Sequence, residues 1–437
     1  MSAPPRLSLS PVLDARLTEM LGPFRHAVLA VSGGPDSMAL MVLVARWLAS
    51  GAAPATLGVT VATVDHRLRA ESAREADWVA EQARALGLDH TTLVWGGEKP
   101  ASGLQERARE ARYALLVAEA HPRAPAAVVT AHTADDQAET LLMRLGRGSG
   151  LDGLAGMAPE RPLLPDGTVR LVRPLLSVTK AQLAAALDEA GVAWLDDPSN
   201  ARDDFERVRL RRAQAHLAAL GLSNDKLALS AARLTRARAA LDVVTDERVA
   251  ALVAIHGGVF ASLAREAWLR EPQDIRVRLL ARLLAAFGGE ARPARLSQVE
   301  ALEDALSRDA RPLAQTLGGC IVSKGRTTLR LYREPPAVPP PDVVLDAGQD
   351  VLWDWRFRVR YAGGSGETVQ VRPLGLAAYA TLRSRPGLTV RPPARAAAGL
   401  PAIWRGDELI AVPPLADRIA SDARFSAEFV GLRREVP

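Results

Sequence analysis

The sequence predicts an α/β fold for the first half of the chain, with a parallel sheet covered by helices. A mainly helical domain and a small C-terminal domain, α+β or mainly β, are expected after it. Three observations lead there. Short apolar runs alternate with helical spacing from His26 to Leu145, the composition turns Ala-, Leu- and Arg-rich after about Gly221, and a proline-rich stretch, Pro335 to Pro341, precedes a run of short strands and turns. Strand–helix alternation argues for a parallel sheet with helices on both faces.

His26 to Val31 is apolar enough to be a buried strand, and Asp36 to Leu48 has apolar residues on most faces, as a helix packed on a sheet would. Leu57 to Val64, rich in Val and Thr, His90 to Trp95 and Ala126 to Ala131 supply three more strands. Glu71 to Leu86, Leu104 to Ala120 and Asp135 to Leu145 are the helices between and after them. A Gly- and Pro-rich bend, Gly146 to Pro165, leads to extended Val169 to Pro174 and helical Thr179 to Ala190. Helical spacing resumes at Lys226 to Val253, Ile275 to Phe287 and Leu296 to Ser307, and Thr316 to Tyr332 reads as a hairpin turning near Lys324-Gly325. Domains are therefore expected over 1–220, 221–334 and 343–437.

Composition narrows the function. A formal net charge of +5 suits an anionic partner without requiring one. Cys320 is the only cysteine, which excludes an intrachain disulfide framework, a CxxC zinc site and a two-cysteine sulfur relay. The histidines are scattered, with no H-E-x-x-H pair. Met1 to Pro11 lacks the pattern of a signal peptide, and no charge-free segment reaches membrane-spanning length, so the expected address is the cytoplasm, with no membrane partner.

The chemistry is concentrated in Ser32, Gly33, Gly34, Pro35, Asp36 and Ser37, which lie between a strand and a helix. The glycines admit close approach of backbone to an anion, and the amides converge at a helix N-terminus, where the dipole favours negative charge. No G-K-[ST] follows, so this is not a Walker loop. A carboxylate at Asp36 repels phosphate unless it holds Mg²⁺ or a cationic group. A tight turn capped by Asp36 or Ser32 is the plain structural alternative. Asp65-His66 and His132 with Asp135-Asp136 close two other strands, at the edge where ligands of parallel sheets bind. The Asp135-Asp136 pair suits Mg²⁺ or helix capping. Arg109 and Arg112, at i and i+3, point the same way, toward charge developing on phosphorus or toward a surface ion pair.

A series of blocks then occurs in order: SGGPDS at 32–37, VDHRLR at 64–69, LQERAREARYALL at 104–116 and AHTADDQAETLLMRLGRGSGLDGLAGM at 131–157. RPLL at 173–176, WLDDPSN at 194–200 and FERVRLRR at 205–212 continue it. In these blocks the chain resembles tRNA(Ile)-lysidine synthetase, strongly over the first half and more weakly beyond. The resemblance implies the adenine-nucleotide alpha-hydrolase-like PP-loop fold of N-type ATP pyrophosphatases, with ATP and Mg²⁺ as cofactors. It implies as partners a tRNA(Ile) with a CAU anticodon and free L-lysine, and a homodimer is compatible with it. The implied reaction adenylates the C2 oxygen of the wobble cytidine, and lysine then displaces AMP.

Carried onto this sequence, the catalytic residues are Asp36, Arg112, His132 and Asp136. The nucleotide falls to residues 32–37 with Asp65 and His66, and Mg²⁺ to Asp36, Asp135 and Asp136. Arg109, Asp197, Asn200, Arg207 and Arg211 are candidates for substrate or tRNA. The chain departs from the family's pattern at Thr133, where a second histidine is common, and at Val208, where asparagine is common. Two other readings are set beside this one: tRNA 2-thiolation, which the single cysteine disfavours, and a non-catalytic RNA-binding protein. Arg372, Arg383, Arg385, Arg391 and Arg395 make the last segment basic and consistent with tRNA contacts.

Overall fold

The computed structural model describes residues 10–69, 71–97, 99–100, 102–164, 166–195, 206–289, 294–308, 312–335, 339–364, 366–384, 391–415 and 424–431. The chain divides into two compact units, Met1–Arg238 and Ala239–Pro437.

The first unit runs α1 (Ser10–Leu21), β1 (His26–Ala30), α2 (Pro35–Ala49), β2 (Gly58–Asp65), α3 (Ser72–Ala85), β3 (Asp89–Val94) and α4 (Leu104–Ala120). It continues with β4 (Ala126–Val129), α5 (Ala134–Gly146), α6 (Leu151–Leu154), β5 (Glu160–Pro162), β6 (Val169–Val172), α7 (Lys180–Ala190), α8 (Glu206–Ala219) and the first half of α9 (Asn224–Leu252). The six-stranded sheet has the order β3-β2-β1-β4-β6-β5, parallel throughout except for β5, which pairs antiparallel with β6 at the edge. The order reverses at β1, which lies between β2 and β4. A crevice opens at such a switch point, outside the carboxyl ends of the strands.

Each face of the sheet has its own core, because side chains alternate along a strand. Ala27 and Leu29 of β1 face a cluster built from α1, α2, α3 and α7, while Val28 faces one built with Leu116 and Ala120 of α4. Helix α2 is buried from Ser37 through Ala45 and again at Trp47, which explains its apolar residues on most faces. Helix α1 is an element that the sequence reading omits. Leu13, Leu17 and Leu21 form its buried stripe, and the Asp14 carboxylate accepts two hydrogen bonds from Arg46 of α2.

The second unit begins within α9 and forms β7 (Val253–His256), β8 (Phe260–Ala264), α10 (Arg265–Leu269), α11 (Gln273–Gly288), α12 (Leu296–Ser307), β9 (Leu313–Leu317), β10 (Cys320–Lys324) and β11 (Thr328–Arg333). These strands make an antiparallel sheet in the order β7-β8-β11-β10-β9, whose core residues pack with those of α11 and α12. The helical spacing expected through Val253 therefore stops at Leu252, and the region after it carries more strand than the sequence reading allows. Gly257 and Gly258, at φ +59° and +70°, turn the β7–β8 hairpin. The rest is β12 (Val343–Asp346), β13 (Asp350–Trp353), β14 (Phe357–Tyr361), β15 (Thr368–Pro373), α13 (Leu376–Arg383), α14 (Ala394–Ala398), β16 (Pro401–Arg405), β17 (Glu408–Ala411) and β18 (Phe425–Phe429). They form two small antiparallel sheets, β12-β15-β16-β17 and β13-β14-β18. Their shared core takes in Val259 and touches Phe260 and Tyr332 of the five-stranded sheet.

Candidate active site at the switch point

The loop after β1 is built as a strand-to-helix turn. Gly33 has φ +90°, and a Cβ there would lie 2.8 Å from Leu195 Cδ1, whose amide in turn donates to Gly33 O at 2.9 Å. Gly34 caps α2 in extended conformation at φ −70°, ψ 163°, where any residue fits, and an added Cβ would meet no protein atom nearer than Ser32 Oγ at 3.9 Å. The fold thus needs glycine at 33, whereas glycine at 34 leaves clear space over the first turn of α2. That is what a backbone phosphate cradle requires. Ser37 Oγ donates to Gly34 O at 2.9 Å and accepts from the Ser32 amide at 3.2 Å, so the serines brace the loop from within.

Across the switch point, Thr133 caps α5 in a reciprocal box. The amide and hydroxyl of Thr133 donate to Asp136 Oδ2 at 2.9 and 3.0 Å, and the Asp136 amide donates back to Thr133 Oγ1. The other carboxylate oxygen of Asp136 faces Lys180 Nζ at 2.9 Å, and the same ammonium lies 3.8 Å from Asp36 Oδ2. Lys180 begins α7, so three elements bring two carboxylates and one cation together at the carboxyl edge of the sheet. Burial pushes the Asp136 carboxyl up, but the charge and hydrogen bond of Lys180, the Thr133 amide and nearby His132 outweigh it and hold the group below the ordinary carboxylate range. His132 is oriented by a 2.8 Å hydrogen bond between its Nδ1 and Thr130 Oγ1.

Asp135 points elsewhere. Its Oδ2 accepts from the Lys180 amide at 2.7 Å and its Oδ1 from Asn224 Nδ2 at 2.6 Å, tying α5 to the starts of α7 and α9. Among the described residues no group of three or more His, Cys, Asp or Glu side chains is arranged to hold a metal. The donors that converge are Asp36 and Asp136, and a cation already lies between them. Two carboxylates suit Mg²⁺, which takes its remaining oxygens from phosphates and water.

Asp65, at the end of β2, holds its own turn. Its Oδ1 accepts from the Arg67 amide at 2.8 Å and from Ser72 Oγ at 2.7 Å, and Arg67 is left-handed at φ +51°. His66 meets Trp95 edge-on at a centroid distance of 5.8 Å, and Lys99 Nζ lies 3.9 Å from the Trp95 ring centre. Burial, then the charges of Arg112 and Lys99, lower the His66 pKa to about 4 against the opposing charge of Asp65. Arg109 and Arg112 lie exposed on α4. Arg207 and Arg211 lie on α8, with side chains outside the described residues, as are Asp197 and Asn200 altogether.

Residues 9–216 match the PP-loop domain family. Over 349 residues the chain is 46% identical to the tRNA(Ile)-lysidine synthase of Bradyrhizobium sp. (strain BTAi1), an alignment covering 75% of this chain and 96% of that protein. It is 42% identical over 393 residues to the tRNA(Ile)-lysidine synthase of Ruegeria pomeroyi, covering 90% of this chain and 89% of that one. The chain belongs to the tRNA(Ile)-lysidine synthase family.

For a tRNA(Ile)-lysidine synthase family member, the departure at Thr133 has a local reason: the hydroxyl is the N-cap of α5 and fixes Asp136. The long block 131–157 is likewise one structural unit. Gln137 exchanges hydrogen bonds with the Met157 backbone at 2.9 and 2.7 Å, and Arg144 Nη1 donates to Gly153 O and Gly156 O at 2.6 and 2.8 Å. Sequence reasoning missed Lys180, Asn224 and Trp95. Only Lys180 had a usable signal, the Thr179-x-x-Gln182 capping box that starts α7 at the strand-end edge.

Proposed function

We propose that the chain ligates free L-lysine to C2 of the wobble cytidine of a CAU-anticodon tRNA(Ile), consuming ATP and releasing AMP and pyrophosphate. The observation that carries this reading is the meeting of Asp36 and Asp136 across Lys180, beside the open first turn of α2. The C2 oxygen of cytidine is a poor leaving group. Its attack on the α-phosphorus of ATP expels pyrophosphate and turns that oxygen into part of a phosphate ester. The amine of lysine then adds to C2 and AMP departs.

In this reading the Gly33–Ser37 amides hold the leaving pyrophosphate, whose charge the α2 dipole favours. Mg²⁺, when bound, would draw off charge developing on phosphate oxygens. Asp36 and Asp136 are its proposed holders, and Asp135 is assigned to fixing α5 against α7 and α9. Lys180 adds a positive charge at the same place. Asp136 already accepts from Thr133 through one oxygen and faces the Lys180 ammonium through the other, so its proposed task is to hold a cation rather than to take a proton from lysine. Arg112 and His132 are the groups proposed to face the reacting phosphate and base. His66 and Trp95 are proposed to wall the adenine. Thiolation has no support from the residues, since Cys320 is wholly buried in the second unit. No helix among the described residues is long and apolar enough to cross a membrane, and the proposed place of work is the cytoplasm.

ATP–pyrophosphate exchange tests the carboxylate pair. With tRNA and Mg²⁺ present, Asp136→Asn is expected to slow exchange by about 10²-fold or more. Exchange within twofold of the unmodified protein would remove Asp136 from the chemistry.

A further inference from the structure

A second concentration of charge in the first unit is positive, and it gathers on one tyrosine. Arg109 lies over the Tyr113 ring at 5.2 Å and Arg161 at 5.8 Å, the first from α4 and the second from β5. Arg173, which directly follows β6, interacts electrostatically with Tyr113 as well. It is only 4% exposed. Its Nη1 is engaged by Ala158 O at 2.6 Å, but its Nε is buried with no hydrogen-bond partner. Neither Arg109 nor Arg173 has a carboxylate partner among the described residues. Burial works against the Arg173 charge, Tyr113 favours it, and Arg161 and Arg109 oppose it, a balance that leaves its pKa at about 10.

Gathering guanidinium groups around a buried, incompletely bonded arginine is unfavourable unless an anion completes the set. Phosphate is the anion whose geometry matches several guanidinium forks at once. The position narrows the source. Arg173 closes β6, the strand beyond β4 from β1, so the cluster lies at the same carboxyl edge as the loop but on the far side of the His132 block. The amides at α2 already suit the phosphates of a nucleotide. We infer that Tyr113, with Arg109, Arg161 and Arg173, seats a backbone phosphate of the RNA substrate next to the base being modified. The inference rests on the tRNA reading above and assigns Arg161, Arg173 and Tyr113 a task that reading leaves open.

Anisotropy of a labelled anticodon stem–loop RNA bound to the full-length protein tests it, with titrations across about 50 to 200 mM salt. Arg161→Gln and Arg109→Gln, which change side chains that are not fully buried, are each expected to weaken RNA binding roughly fivefold to tenfold and to reduce the log–log salt slope by about one. Arg173→Lys is expected to keep the slope but lose affinity, because lysine keeps the charge without the fork. Tyr113→Phe should weaken binding through Arg173 with no change of slope. Unchanged RNA affinity in both glutamine variants overturns the inference. So does a loss that appears in the ATP Kd or the lysine KM instead, which would give the cluster to the nucleotide or to the amino-acid carboxylate. If the unmodified protein makes no lysidine while the variants still lose RNA affinity and slope, the functional reading fails and the phosphate seat stands.

Discussion

Gly33 and Gly34 stand side by side for different physical reasons, and substitution separates them. Alanine at 33 must adopt φ +90° and press its Cβ onto Leu195 and Val79, at a cost of about 1–3 kcal/mol. Gly33→Ala is therefore expected to lower Tm. Alanine at 34 meets neither strain nor neighbours, so Gly34→Ala should melt with the unmodified protein yet bind ATP more weakly. Calorimetry beside ATP titration distinguishes the two, and a Gly34→Ala protein with unchanged ATP affinity would mean the loop is not a phosphate cradle. His66 offers a second test at this scale. Its Nδ1 is buried without a hydrogen-bond partner among the described residues, and its pKa falls from 6.5 to about 4. The unfolded chain then binds more protons between those values, so the contribution of His66 to stability is full above pH 6.5 and is lost as pH falls toward 4. NMR titration should find the ring neutral at pH 5.5; a midpoint near 6.5 would contradict the burial described.

At the scale of elements, α5 does two jobs with adjacent carboxylates. Asp135 accepts from the Lys180 amide and Asn224, and Asp136 faces the Lys180 ammonium. Asp135→Asn sets a new donor against one of these donors and should cost about 1–3 kcal/mol in stability. Asp136→Asn should instead be felt mainly in exchange activity. Equal loss of Tm in both variants would erase the distinction. This division is not legible in an Asp-Asp pair, because helix period alone does not say which oxygen meets which neighbour. What is legible is the frame. Strands β1 to β4 and helices α2 to α5 fall close to where alternation of apolar runs and helical spacing puts them; Asp65 ends β2, the loop follows β1, and Asp136 lies in the first turn of the helix that follows β4. Helix α1 is passed over because prolines and polar residues precede its leucine stripe. β7 is hidden because the short run Val253-Ala254-Ile255-His256 after a long helix fits either period, and only Gly257-Gly258 signals the turn. The capping box Thr179-x-x-Gln182 marks where Lys180 begins a helix, but its partners Asp36 and Asp136 are distant in sequence, so the pattern does not say what the lysine meets.

At the scale of the whole molecule, the last segment is no simple appendage to the second unit. Its core encloses Val259 and packs on Phe260 and Tyr332. Deleting 343–437 would uncover those residues, and the shortened chain is expected to aggregate or melt early rather than report on RNA binding alone. Arg383→Gln with Arg391→Gln, both exposed in the full chain, is the cleaner probe of the basic C-terminal segment. If that segment meets tRNA, the pair should lower the salt slope of tRNA binding by about two; an unchanged slope would leave its arginines without a part in recognition. Activation of a cytidine for attack by lysine, proposed for the loop and the Asp36–Asp136 pair, can be measured directly. The full chain is incubated with tRNA, ATP, Mg²⁺ and labelled lysine, and the nucleosides are analysed by mass. A lysine adduct on cytidine, with AMP and pyrophosphate released in equal amounts, is the expected result; sulfur on the base, or no adduct while tRNA is bound, would contradict it.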